Sequence, residues 1–267
     1  MMSDLITPSL GIMNLQQVPR KFQLSRVTPS EDLAFFIRHF WIVRWDLRGQ
    51  EPYEQHVIPN PCVNLIVEPG RTAIYGPGKE KYGHYLEGQG CVFGVKFKPG
   101  GFYPFVGRAV SDMQLSPLSV RSVFDVDPLA LETAMFAAED EQGMVALMEQ
   151  MIRLKLPGRD AQVTFINEII DFINEQPDVT KVDALCDRFG VNKRTLQRLF
   201  DHYVGVSPKW VIKLARIQNA AEATDVSVKP NWSKLSMDLG YHDQSHFIKD
   251  FKSITGQTPD EYARQAQ

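Results

Sequence analysis

Leu185-Cys186-Asp187-Arg188-Phe189-Gly190-Val191-Asn192-Lys193-Arg194-Thr195-Leu196-Gln197-Arg198-Leu199-Phe200, followed by Gly205-Val206-Ser207-Pro208, decides how this chain is built, because its pattern returns 50 residues later. Leu185, Gly190, Phe200, Gly205 and Pro208 recur as Leu235, Gly240, Phe251, Gly256 and Pro259, with internal offsets of 5, 10, 5 and 3 against 5, 11, 5 and 3. A repeat of this kind is one supersecondary unit used twice. In each copy a short helix carrying Leu185 or Leu235 runs into a glycine, which can take the left-handed conformation of a tight helix-to-helix turn. A second helix starts at once, at Asn192 in the first copy. Leu196, Leu199 and Phe200 share one of its faces, and Lys193, Arg194, Gln197 and Arg198 occupy the other or its edge.

That arrangement reads as a helix-turn-helix pair. Such a unit places the first turns of its second helix in the major groove of DNA, where guanidinium, ammonium and amide groups meet base edges and phosphates. In the second copy the helix from Asp243 to Phe251 turns Phe247 and Phe251 inward and leaves Gln244, Ser245, His246 and Lys249 outward. Between the copies Pro208 suits the first turn of a helix that runs through Trp210 to about Thr224 without a breaker. A rod of roughly 25 Å follows from the rise per residue. It is long enough to hold two reading heads about one turn of DNA apart. Arg216 on this rod reads as a structural ion-pair partner, and Trp210 and Tyr262, which follow equivalent prolines, read as core.

The same residues, with Leu239-Gly240-Tyr241-His242-Asp243-Gln244-Ser245-His246-Phe247 and Gly256-Gln257-Thr258-Pro259, closely resemble the AraC/XylS family of transcription regulators over about residues 161–265. The resemblance implies two helix-turn-helix units joined by a linker helix, the first dominating base contact. It carries base-reading roles onto Arg194, Gln197 and Arg198 in the first unit, beside the basic Lys193, and onto Gln244, Ser245, His246 and Lys249 in the second. Cys186 and Ser236 stand where the family usually has alanine. Ile248 takes a position that is usually small and polar, and Asp250 sets a negative charge beside Lys249.

The rest of the chain differs in character. Phe40-Trp41-Ile42-Val43, Val63-Asn64-Leu65-Ile66-Val67 and Cys91-Val92-Phe93-Gly94-Val95-Lys96-Phe97 are β-rich runs bounded by Pro59, Pro61, Pro69-Gly70, Gly76-Pro77-Gly78 and Pro99-Gly100-Gly101. Strands so punctuated predict an antiparallel sandwich or barrel. Met144, Leu147, Met148, Met151 and Ile152 then fall at helical spacing, and the methionines read as core, with a dimer seam as the alternative. Pro157-Gly158 breaks the chain before another amphipathic helix at Val163, Ile166, Ile170 and Ile173. The fold class is therefore α+β with two domains: a β-rich sensor over 1–127, a helical connector or dimerisation segment over 128–157, and an all-α domain over 158–267. Phe40-Trp41, the run from Val57 to Leu65 and Gly94-Val95-Lys96-Phe97-Lys98-Pro99-Gly100-Gly101 resemble the uncharacterised cupin-like amino-terminal domain of some AraC-type regulators. Asn60-Pro61 replaces an aspartate-glycine turn there.

Composition narrows the functions. The 267 residues are 43% hydrophobic and 23% charged with a net charge of −3, which suits a core-forming chain. The charge is uneven: from Lys181 onward 13 Lys+Arg face 10 Asp+Glu, and before it 16 face 22. No apolar run approaches the ~20 residues of a membrane span, and Met1 to Ser9 lacks a signal core. Cys62, Cys91 and Cys186 form no CxxC pair, and Cys62 beside Val63 and Leu65 reads as buried and inert. The expected setting is a reducing cytoplasm. His39, His56 and His84 raise the question of a metal, but the paired HxH of a cupin site is missing and only Glu54-Gln55-His56 is present, so neither metal nor cofactor is expected. No catalytic triad, phosphate loop or carboxylate pair can be assigned.

The expected function is a non-enzymatic transcription regulator with double-stranded DNA as partner, a small-molecule effector in the first domain, and RNA polymerase and a second copy of the chain as further partners. Trp41, His56, Asn64 and Tyr75 are the candidate effector contacts, because they combine apolar area with a few polar groups. Two alternatives compete: a barrel enzyme using His56 and His84, and a first domain that is only a dimerisation scaffold. Because Ile248 and Asp250 spoil the second reading surface, Gln244→Ala is expected to reduce operator affinity less than Gln197→Ala, and equal losses in titrations of the two variants would contradict the unequal-heads reading.

Overall fold

The computed structural model describes residues 21–226 and 231–265. The first twenty residues of the expected sensor domain, Met1 to Ser9 among them, lie outside the described residues, as do 227–230 and 266–267. The fold is α+β, with an antiparallel β-rich region followed by a helical one. Seven strands come first: β1 (Gln23–Val27), β2 (Ile37–Asp46), β3 (Tyr53–Val57), β4 (Asn64–Val67), β5 (Ala73–Tyr75), β6 (Tyr82–Leu86) and β7 (Gln89–Phe97). Five of them form a sheet in the order β1-β2-β7-β4-β5, and β3 pairs with β6 as a separate two-stranded ribbon.

Period-two alternation gives the sheet two unlike faces. Phe40 and Ile42 on β2, Phe93, Val95 and Phe97 on β7, Leu65 and Val67 on β4 and Ile74 on β5 all point one way and are buried. Short helices α1 (Tyr103–Val106) and α2 (Val120–Phe124) lead to α3 (Pro128–Phe136) and α4 (Glu141–Arg153). Asp127 caps α3 through the Ala130 amide, and Asp140 caps α4 through the Gly143 amide. The apolar stripe of α4, with Met144, Met148 and Met151, packs with Leu131 and Met135 into the same core as those sheet residues.

The expected connector over 128–157 is thus the back layer of the β-rich domain. Its methionines are filled by this chain's own sheet, because an apolar stripe of that width leaves water for the nearest flat apolar surface. Arg153 fastens the end of α4 to the start of the domain, with Nε 2.7 Å from Asp32 and an η-nitrogen 3.1 Å from Glu149.

The second core begins past Pro157-Gly158. It collects α5 (Ala161–Glu175), α6 (Val182–Phe189), α7 (Lys193–Leu199), α8 (Pro208–Val226), α9 (Trp232–Asp238), α10 (Gln244–Thr255) and α11 (Pro259–Gln265). The linker helix α8 runs 19 residues, two more than its sequence signals suggest. Trp210 and Tyr262 are buried in this core. Met148 is fully buried between α4 and the sheet, so Met148→Ala is expected to lower the stability of the chain by about 2–5 kcal/mol in denaturant titrations.

Candidate functional site

Two regions bring functional side chains together: the exposed faces of the repeated helical units, and a cavity on the other face of the sheet.

In the first unit Gly190 ends α6 at φ 62° and its N–H donates to the Cys186 carbonyl, which makes the tight turn. Asn192 then caps α7, its side-chain oxygen accepting the Thr195 amide at 2.9 Å. Leu196 and Phe200 are fully buried, which fixes the helix's rotation and leaves Lys193, Arg194, Gln197 and Arg198 exposed. Lys193 Nζ lies 3.1 Å from Asp183 on α6 with both side chains more than half exposed. Such a pair is worth little in water and yields readily to a phosphate. The helix continues as a π-turn over Phe200–Val204, closed by Gly205 at φ 82°.

In the second unit Gly240 (φ 73°) makes the turn and Asp243 caps α10 through the His246 amide at 2.8 Å. Phe247 and Phe251 are fully buried, and Gln244, Ser245, His246 and Lys249 are exposed. Asp250 behaves differently from its reading as a charge on this surface. Its carboxylate is mostly buried, 3.4 Å from Lys213 Nζ on the linker helix and 3.4 Å from the Tyr241 hydroxyl, which donates to it. It ties the unit to the linker, and it also lies 3.7 Å from His246 Nε2 on the exposed face. Among the described residues Arg216 meets no carboxylate at ion-pair distance: its Nε donates to the Leu239 carbonyl at 2.7 Å and its guanidinium lies 3.6 Å over the Tyr241 ring. Ser236 tolerates burial because its hydroxyl donates to the Ser233 carbonyl at 2.9 Å.

The cavity, about 640 Å³, lies between the five-stranded sheet and the β3-β6 ribbon. Trp41, Asn64 and Tyr75 lie on its wall. His56 does not. Gln55 and Val57 face the cavity from β3, so the alternation sends His56 to the outer side of the ribbon, where Nε2 sits 3.3 Å from Glu54. His84 faces inward, between Glu68 at 3.2 Å and the Tyr82 hydroxyl at 3.2 Å. The two histidines of the enzyme alternative are therefore on opposite sides of the ribbon. Among the described residues no cluster of three or more His, Cys, Asp or Glu side chains could hold a metal.

Sequence reading missed the groups that dominate the cavity's charge. Register pairs His39 with Lys96, Lys96 with Asn64 and Asn64 with Tyr75, which draws one polar row across four strands. Arg26 stands on β1 opposite Trp41. Burial, with Lys96, Arg26 and Arg38 nearby, holds the His39 imidazole down at about 3, so it is neutral at ordinary pH. The available signal was parity: Val92, Gly94 and Lys96 alternate with the wholly apolar Phe93, Val95 and Phe97. Cys62 is buried beside Lys96, and burial raises its thiol.

Cavity and helical domain also meet. The Gln114 amide donates to the Gly205 carbonyl at the end of the π-turn, and Pro77 crowds Gly205, where a Cβ would come within 3.0 Å of it. Ile58 is buried in the helical domain's core, and Lys81 lies against Gly256. All four of these residues also line the cavity. Beside them the Tyr103 and Tyr203 rings stack with centroids 3.9 Å apart, and the Tyr203 hydroxyl donates to Asp160 at 2.7 Å.

Residues 185–265 match a family described as a helix-turn-helix domain, and residues 25–118 match a domain of unknown function, DUF6597. The carboxy-terminal third of the chain therefore carries a helix-turn-helix domain. The F1 operon positive regulatory protein of Yersinia pestis is 31% identical to it over 99 residues, 36% of this chain. The chain spans 33% of that relative's length in the match. Among solved structures, unsaturated fatty acid-bound ToxT from Vibrio cholerae aligns over 96% of this chain and 93% of its own, at 13% identity and a TM-score of 0.39. The C-terminal domain of AraT, a response regulator from Geobacillus stearothermophilus, aligns over 37% of this chain and 83% of its own, at 22% identity and a TM-score of 0.34.

The cavity floor rests on one steric fit: the Trp41 indole lies directly over Gly94, occupying the place a Cβ there would need. Gly94→Ala is accordingly expected to displace the indole and cost about 1–3 kcal/mol, measured by denaturant unfolding, and an unchanged midpoint would show that the floor can shift freely.

Proposed function

We propose that this chain is a sequence-specific DNA-binding regulator of transcription of the AraC type, working in the cytoplasm, whose β-rich domain takes a small organic effector. The observation that carries the reading is the pair of capped helices held at fixed rotation by buried Leu196-Phe200 and Phe247-Phe251, each leaving a polar or basic face to solvent. Lys193, Arg194, Gln197 and Arg198 are the base and phosphate contacts of the first unit. Gln244, Ser245, His246 and Lys249 are those of the second, where Asp250 is shared between Lys213 and His246.

Effector control is supported by the shared wall. Ile58, Pro77, Lys81 and Gln114 touch both the cavity and the helical domain, the last at the carbonyl that closes the first reading helix. An effector acts through such a wall only if it binds one arrangement of the two domains better than another. The cavity also weighs against a first domain that is only a scaffold, which would have its interior filled by side chains. A catalytic role draws no support from the separated His56 and His84.

The test is titration of an operator duplex by fluorescence anisotropy over a salt series. Affinity is expected to fall steeply with salt as phosphate contacts release counterions. Arg198→Ala is expected to cost about 1–3 kcal/mol of binding. Operator affinity that ignores both salt and this substitution would overturn the assignment of α7 as the reading helix.

A further inference from the structure

Lys96 lies near the middle of a five-stranded sheet, 7% exposed, on the cavity wall. An ammonium taken out of water is costly unless a carboxylate meets it. Among the described residues no carboxylate lies within ion-pair distance of Lys96, and its charged neighbours are the wrong sign: Arg38 and Arg26 both oppose its charge. The neutral His39 beside it in register offers no charge either. Burial, then those guanidiniums, push the Lys96 ammonium below its ordinary value, with only the Cys62 thiol acting the other way.

The acids that do line the cavity are spoken for or remote. Glu68 is held by His84 at 3.2 Å and lies four residues along the chain from Asn64, roughly 13 Å from the Lys96 row at strand spacing. Glu80, also on the wall, is exposed to solvent and, among the described residues, pairs with no cation at ion-pair distance. The Asn64 amide next to Lys96 donates to the Cys62 carbonyl, at a long 3.4 Å, and the Tyr75 hydroxyl donates to the Arg71 carbonyl at 3.1 Å. Neither answers the ammonium. Away from this end the wall is mainly apolar: the Trp41 indole, Val43, Ile66, Val92 and Leu86.

We propose that the cavity is built for an organic anion, with a carboxylate received by Lys96 and Arg26 and a flat or extended apolar body lying along Trp41. The proposal deepens the effector reading by naming the chemical class, and it rests on that reading only for its regulatory meaning. A carboxylate supplies the missing countercharge, and its second oxygen can accept from the long Arg26 side chain on β1, which β2 separates from the Lys96 strand. A neutral ligand of the same shape leaves the ammonium unmatched. Charge-assisted bonds are also the stronger ones.

The test uses the full chain without DNA, so its outcome is independent of whether the chain reads an operator. Naphthylacetate and its neutral counterpart naphthylacetamide are compared, with decanoate and decanamide as an extended pair, by calorimetry and thermal shift. In the wild type at least one acid is expected to bind about tenfold or more tightly than its amide, the gain of one charge-assisted contact, and to raise Tm. Lys96→Met is expected to raise the Tm of the ligand-free chain, because an apolar side chain replaces an unmatched charge, and to abolish the preference for acid over amide. Arg26→Gln, at the exposed rim, keeps the fold and weakens acid binding several-fold while leaving amide binding unchanged. Equal binding of acid and amide, no saturable binding of either acid at millimolar concentration, or an undiminished preference in Lys96→Met would each overturn the proposal.

Discussion

The five-stranded sheet has to serve two interiors at once, and most of the molecule follows from how its strands divide their side chains between them. Even and odd positions of β2, β7 and β4 cannot exchange faces without a one-residue slip that would put Phe93, Val95 and Phe97 into the cavity and Lys96 into the dry core. The dry side recruits α3 and α4, whose methionines adapt to the uneven surface of branched and aromatic side chains. The other side is left with too few large residues to close, and the β3-β6 ribbon spans it instead of filling it. A cavity is the result of that division, and the unmatched charge it contains is a stability cost of the kind proteins retain at functional positions.

The helical half obeys a simpler rule. Each reading helix is positioned by two buried residues four apart, Leu196 with Phe200 and Phe247 with Phe251, and by a side-chain cap one turn earlier. The linker helix then joins the units by more than length. Lys213 reaches Asp250, and Arg216 reaches the Leu239 carbonyl and the Tyr241 ring, so two successive turns of α8 grip the second unit. The first unit is gripped from the other side, where Gln114 and Pro77 hold Gly205. Both units share the linker helix's core, and each also touches the β-rich domain, the first at Gly205 and the second where Lys81 lies against Gly256.

The helical repeat was legible because its information is local: glycine turns, caps and a 3.6-residue apolar period are all written within a dozen residues. Trp41, Asn64 and Tyr75 could be chosen for their chemistry, but His56 could not be excluded without knowing the parity of a five-residue strand whose partner, β6, lies some twenty-five residues on. Lys96 was hidden for the same reason. Its neighbours in the row, His39 and Asn64, are remote in sequence, and only register brings them together. Asp250 was read only as a negative charge beside Lys249, and its tie to Lys213 was hidden because that side chain comes from 37 residues earlier.

Trp41 and Gly94 are one choice written in two places. An indole can lie flat across β7 only where the chain opposite offers no Cβ, so among chains descended from a common ancestor a side chain at the second position demands a small residue at the first. Such descendants would exchange an aromatic floor for a deeper cavity, and their ligands would change shape with it. The identities at these two positions therefore form a readable code for which relatives keep this cavity floor and which have diverged from it.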